Sequence, residues 1–436
     1  MTSRSTWISH RLAQASPQTF SAYCIVAAFS TYFCMYAFRK PFTAGTFEDV
    51  WLWGIGYKTI LVASQVSGYT LSKFLGVKFV SEMPASRRAV GILTLIGAAQ
   101  LALALFALVP PPYNFFFLFL NGLPLGMVFG LVLAYLEGRR VTEALAAGLC
   151  ASFIISSGVV KSVGRYLILE WGVSEFWMPF LTGLLFVVPL LASVWLLSQI
   201  PHPSPEDIAH RSPRTTMDHT ARSAFFQRHW LGLCGLLAVY VVLTVMRSIR
   251  DDFAVEIWSD LGHDQQPAIF AKSEMLVMFG VVLINGAAIW IGCNRRAFLS
   301  SLALMAGGFV LVLLSLAGHW QGLLDPFAFM VLIGLGMYVP YVAFHTTVFE
   351  RLIAAFRERG NIGYLMYLAD ACGYLAYVGV MLLPNLVAVE LNFLNLFLGA
   401  SLLIAFLAIC ITLVLMLHFA QRLPSGTETK VSYEAE

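Results

Sequence analysis

The chain has 436 residues, 59% hydrophobic and 12% charged, with a net charge of +3 and a mean hydropathy of +0.77. That composition excludes a soluble globular protein of this size, and so small a charge excludes a nucleic-acid binder. Of the seven cysteines, Cys24, Cys34, Cys150, Cys234, Cys372 and Cys410 lie inside apolar runs. None is spaced for metal or disulfide pairing, so they read as small core residues, and no cofactor is expected.

Residues 1–19 are polar and carry Arg4 and Arg11. The apolar run that follows is too long for a signal-peptide core, so a retained span is expected. At about 20 apolar residues per crossing, hydropathy gives about twelve spans. They fall near 20–40, 58–81, 89–109, 113–136, 143–169 and 176–199, then near 229–251, 271–292, 297–317, 326–349, 361–386 and 393–418. The expected class is an all-α membrane protein with a cytoplasmic N-terminus (1–19), two six-helix bundles (20–199 and 229–418), a cytoplasmic linker (200–228) and a cytoplasmic tail (419–436). Arg87, Arg88, Arg139, Arg140, Arg211, Arg214, Arg222, Arg228, Arg295, Arg296, Arg351, Arg357 and Arg359 fall on the side of both termini. The opposite segments 109–113, 317–326 and 386–393 have no Lys or Arg, and 251–271 is acidic. The positive-inside rule then puts both termini in the cytoplasm and the protein in the inner membrane.

Charge placement hints at a duplication. Arg39 closes the first span and Arg247 lies near the end of the seventh. Lys161 and Asp370 are separated by a similar offset. A cation in hydrocarbon costs at least ~2.5–3.5 kcal/mol, so one that persists lines a wet cavity or has a partner. Tyr32 and Tyr36 precede Arg39 on its helix. Two arginine forks facing one cavity suit a dianion, each gripping two oxygens at once. The alternative for Arg39 is snorkelling to an interface. Arg250, one turn beyond Arg247, competes with it for the same role, and Arg247 is preferred as the deeper.

Other residues keep two readings. Lys73 and Lys161 either face the cavity or, for Lys73, snorkel. Asp370 either pairs with a first-half cation, Lys161 among the candidates, or carries a proton. Glu274 is either a coupling carboxylate or exposed, and His345 a packing residue or a proton site. Glycines every four residues on the fourth span (Gly122, Gly126, Gly130) read as close helix packing. No phosphate-cradling Gly loop, His-Glu-x-x-His or nucleophile elbow occurs, so nothing points to an enzyme.

Three short motifs carry a family resemblance: Tyr32-x-x-x-Tyr36-x-x-Arg39-Lys40, then Ser72-Lys73-Phe74 with Ser81-Glu82 beyond, and Arg247 with Asp252 five residues on. In these the chain resembles the organophosphate:phosphate antiporters of the major facilitator superfamily, the group of the glycerol-3-phosphate and hexose-phosphate transporters. The resemblance implies that Arg39 and Arg247 take the places of the paired substrate arginines. Lys40 and Asp252 take those of a pair bridging the halves, and Lys73 that of the second-helix lysine. The chain departs from the pattern in having Thr244 one turn before Arg247 where the family has tyrosine. It has no span-5 histidine, the region reading Ser152-Phe153-Ile154-Ile155-Ser156. The expected protein is a monomeric carrier of a small, phosphorylated organic anion, driven by phosphate exchange or by protons. The alternatives are a proton-coupled symporter of a non-phosphorylated solute and a transporter-shaped anion receptor. Its expected partners are the anion and the lipid bilayer.

Overall fold

A computed structural model of the chain describes residues 7–137, 139, 142–202, 219–263, 266–288, 291, 293–356, 362–386 and 393–422. Most of the expected linker, the end of the tail and the loop arginines Arg140, Arg211, Arg214, Arg357 and Arg359 lie outside those residues.

The first half contains α1 (Pro17–Tyr36), α2 (Tyr57–Glu82), α3 (Arg88–Leu108), α4 (Phe115–Leu136), α5 (Thr142–Leu169) and α6. The last is a bent helix, Met178–Leu185 continued at 45° by Val187–Ser198. The second half contains α7 (His219–Asp252), α8 (Ala268–Ala288), α9 (Asn294–Trp320), α10 (Pro326–Ala343), α11 (Ile362–Leu386) and α12 (Phe393–Arg422). Among the described residues ten helices are long and apolar enough to cross a membrane, and the bent pair makes an eleventh. The twelfth, α2, has 26 residues, and Lys58, Lys73, Lys78 and Glu82 dilute its apolar character. The chain is a multi-pass membrane protein. Its surface carries exposed Leu283, Leu403, Phe406 and Leu417, while charge is buried inside. Lipid on the outside and polar groups on a shared axis account for that inversion.

Local chemistry sets several helix ends. Ser16 caps α1 by accepting from Thr19 N at 3.2 Å, with Pro17 at the first helical position. Asp325 does the same for α10, accepting from Phe327 N and Ala328 N ahead of Pro326. Proline fits there because the missing N–H would have had no partner anyway.

Several boundaries differ from those expected. The helix expected to reach residue 40 ends at Tyr36, and the chain continues in a tight turn to a 3-10 helix, Pro41–Ala44. Pro41 has no N–H with which to continue the helical ladder. Arg39 and Lys40 therefore sit in the turn beyond α1. Helix α7 starts at His219, ten residues earlier than expected, and bends at His229. Beyond α10 the chain makes a π-helical turn, Phe344–Val348, before Phe349–Phe356.

Close approach of α2 and α4 frames the first half. A Cβ on Gly122 would overlap the carbonyl oxygen of Gln65, and one on Gly68 that of Phe119. Small residues at such crossings let backbones meet in a bilayer, where no hydrophobic effect drives helices together. In the connection from α1 to α2, a hairpin pairs β1 (Trp51–Leu52) with β2 (Ile55–Gly56). Its turn residues Trp53 and Gly54 both have positive φ, the two-residue turn that matches strand twist.

Candidate functional site

The glycine contact between α2 and α4 brings Asn121 and Gln65 under the turn that carries Arg39. Asn121 Nδ2 donates to Phe38 O at 2.9 Å and Ala99 O at 3.0 Å. Gln65 Nε2 donates to Asn121 Oδ1 at 2.7 Å and to Arg39 O at 2.6 Å. Two buried amides thus fix the Arg39 backbone. Its guanidinium lies over the Tyr69 ring, 3.7 Å from the centroid, with Tyr36 at 5.8 Å. Among the described residues its Nε has no hydrogen-bond partner.

Arg247 is placed similarly by α7. Its guanidinium lies 4.4 Å from the Tyr341 ring and 6.0 Å from Tyr338. Among the described residues its one hydrogen-bond contact is Ser248 Oγ at 3.4 Å, and its Nε has no partner there. Arg250 was expected nearer an interface. The structure instead buries it to 2% exposure, with Nη1 on Glu274 at 2.6 Å and Nη2 on Met330 O at 2.9 Å. The bare backbone of Gly334 makes room for it. Arg250 is thus neutralised within its own half, and Glu274, expected as a coupling or inter-half residue, is its partner there.

The end of the bundle away from the termini is closed by ion pairs between the halves. Lys40 Nζ contacts Asp251 Oδ2 at 2.7 Å and also Asp252. Lys161 pairs with the same Asp251 and lies 2.8 Å from Ser157 Oγ, while Ser157 donates to Asp251 as well. Tyr377 OH donates to Asp252 Oδ2 at 3.0 Å. Lys58 Nζ binds both oxygens of Glu256, at 2.6 and 2.8 Å, and Thr43 O at 3.0 Å. Lys161 was expected to contact substrate or Asp370. The structure ties it to Asp251 instead, away from the central cavity.

Nearer the termini lies a second inter-half pair, Lys73 Nζ with Asp370 Oδ2 at 3.0 Å. Asp370 also accepts from Tyr240 OH, and His345 Nε2 stands 3.9 Å from Oδ1. Lys58 and Lys73 are fifteen residues apart on α2, about 22 Å along its axis. Tyr69, on which Arg39 lies, falls between them, so the arginines occupy the stretch between two inter-half closures.

There the chain forms a narrow pocket. Arg39, Arg247, Lys40, Lys73, Asp252 and Asp370 supply its charge, Tyr32, Tyr36, Tyr69, Tyr341 and Tyr374 much of its wall. Along this axis seven cations (Arg39, Lys40, Lys58, Lys73, Lys161, Arg247, Arg250) face five carboxylates (Asp251, Asp252, Glu256, Glu274, Asp370). Every lysine of the set touches a carboxylate, as does Arg250. Among the described residues Arg39 and Arg247 make no ion pair, which leaves two positive charges for a ligand to neutralise.

Sequence reasoning did not single out Asp251, which it read as part of an acidic loop, nor the Lys58 and Glu256 pair. It also passed over Tyr69, Tyr341 and Tyr374. The one available signal was the four-residue spacing of Tyr69 and Lys73, which sets both on one helix face.

The fold is similar to that in a crystal structure of a D-xylose-proton symporter, with a TM-score of 0.58 over 94% of this chain and 98% of that one. Identity is 14%, so the likeness concerns architecture: twelve helices in two halves, the major facilitator fold. A search of curated proteins finds no match. A family model described as a family of unknown function (DUF5690) matches residues 41–422, and the chain belongs to that family.

Proposed function

We propose that the protein is a secondary carrier that moves a small, phosphorylated organic anion across the inner membrane by alternating access, in exchange for inorganic phosphate. The observation that carries this reading is the pair of buried guanidiniums, one from each half, facing one cavity with no carboxylate on either among the described residues. Leaving two charges unneutralised in a low-dielectric site is costly unless a ligand completes it. Because Arg39 belongs to the first half and Arg247 to the second, an anion bound to both draws the halves together. Rocking about that anion would open the ion pairs at one end while those at the other hold. The monomer suffices for this, with both termini in the cytoplasm.

The test is uptake by reconstituted vesicles loaded with phosphate, offered a panel of labelled phosphate esters and carboxylates. Exchange that needs internal phosphate supports the carrier. Saturable binding with no flux of any anion would make the protein a receptor. Flux of neutral solutes alone would remove the anion site.

A further inference from the structure

The cluster around Asp370 lines the same pocket as the two arginines and is built from both halves. Lys73 of α2 reaches it from the first half; Tyr240 of α7 and His345 of the π-helical turn reach it from the second. The imidazole orientation is informative. His345 Nδ1 lies 2.9 Å from Tyr341 O, a carbonyl that can only accept, so Nδ1 carries the hydrogen. In the neutral ring Nε2 then presents a lone pair to Asp370 Oδ1 at 3.9 Å. Oδ1 already accepts from Tyr240 OH, but among the described residues no donor bridges Oδ1 and Nε2, and these two acceptors form a ready site for one proton.

The other groups that face the carboxylate do not fill that role. Lys73 pairs with its Oδ2, and Tyr240 donates its one hydroxyl hydrogen to Oδ1. Tyr69 of α2 lies beneath the Lys73 ammonium, as does Tyr367 of α11. Tyr341 and Arg247 are engaged with each other, Tyr374 meets the Tyr69 ring edge-to-face, and the Cys150 thiol of α5 lies in the field of Asp370.

We propose that Asp370 and His345 together bind a transported proton, and that its arrival frees Lys73 from Asp370 to join Arg39 and Arg247 on the anion. This rests on the anion reading above and adds to it a coupling ion and a site. In the unprotonated state Asp370 cancels the charge of Lys73. Once the proton neutralises the carboxylate directly, or through the imidazolium beside it, a third cation faces the cavity, which Lys73 already lines. Proton and anion then bind with positive coupling, and reciprocity makes each tighten the other.

The experiment titrates the purified full-length protein with sulfate, which stays a dianion between about pH 5 and pH 8, so any pH response belongs to the protein. The parent is expected to bind sulfate on the order of 10-fold more tightly at the acid end, the gain of one charge-assisted contact. Asp370→Asn should bind tightly at both ends, Lys73→Gln weakly at both, and His345→Gln should move the midpoint to lower pH. Infrared difference spectra between the same two pH values, taken without sulfate, should show a carboxyl signal that Asp370→Asn abolishes. A parent with pH-independent binding, or an Asp370→Asn variant that keeps the parent's pH response, overturns the proposal. An intact infrared signal with no sulfate bound at either pH leaves the proton site standing and removes the anion reading, and the release of Lys73 to the anion with it.

Discussion

Arg39 lies face-on to Tyr69 and Arg247 face-on to Tyr341, at 3.7 and 4.4 Å from the ring centroids, while every lysine on the same axis lies on a carboxylate. A tyrosine face orients a guanidinium without cancelling its charge. The two forks are thus held in place and left electrostatically open.

The ring face should matter more than the hydroxyl. Tyr69→Phe is expected to change anion affinity by less than about threefold, and Tyr69→Ala to weaken it by about tenfold, since a desolvated cation–π contact is worth up to about 2 kcal/mol. Isothermal titration with sulfate distinguishes them. Equal losses in the two variants would assign the effect to the hydroxyl.

Asp251 serves Lys40 and Lys161 at once, whereas Lys40 has Asp252 in reserve. Asp251→Asn should therefore destabilise the fold by about 3–5 kcal/mol, the usual cost of stranding one member of a buried pair. Adding Lys161→Met should recover much of that loss. Thermal unfolding of purified protein reads both. A single variant that melts with the parent would show that the ion pairs at this end contribute little to folding.

Gly122 admits no side chain, because a Cβ would overlap Gln65 O and force α2 and α4 apart. Gly122→Ala should cost about 1–3 kcal/mol by overpacking. It should also loosen the Gln65 and Asn121 bonds beneath Arg39, so anion affinity falls with stability. The same exchange at Gly97, which has open space around it, is expected to be silent in both measurements.

The twelve spans were legible because lipid demands long apolar runs, and these survive any detail of packing. The bend in α6 and the early start of α7 were not, since neither changes the apolar count. The choice between Arg247 and Arg250 turns on one helical turn, which hydropathy does not resolve; the pairing of Arg250 with Glu274 needed α8 and α10 in place. Asp251 looked like a loop acid because α7 extends to Asp252 and carries it into the bundle. Equal sequence offsets linked Lys161 with Asp370, but such an offset marks equivalent positions in two repeats and not a contact. Their actual partners, Asp251 and Lys73, lie in other helices of the opposite half.

Orientation rests on the arginines near the ends of the helices. Reporters fused after Arg228 and after Gln421 are both expected to report cytoplasm, because Arg87, Arg88, Arg139, Arg295 and Arg351 lie on the side of the termini. A periplasmic signal from either fusion would contradict the orientation.

The most direct test of the two-arginine site compares Arg39→Lys, Arg247→Lys and Arg250→Lys by anion-dependent thermal shift on purified protein. Each lysine keeps the charge and loses the planar fork. The two cavity variants should bind the anion on the order of 10-fold or more weakly, the value of a charge-assisted hydrogen bond at roughly 1.5–3 kcal/mol, with little change in the melting temperature of the free protein. Arg250→Lys, which gives up its bonds to Glu274 and Met330, should lower that melting temperature and leave affinity near the parent's. Unchanged binding of every anion by both Arg39→Lys and Arg247→Lys would contradict the site.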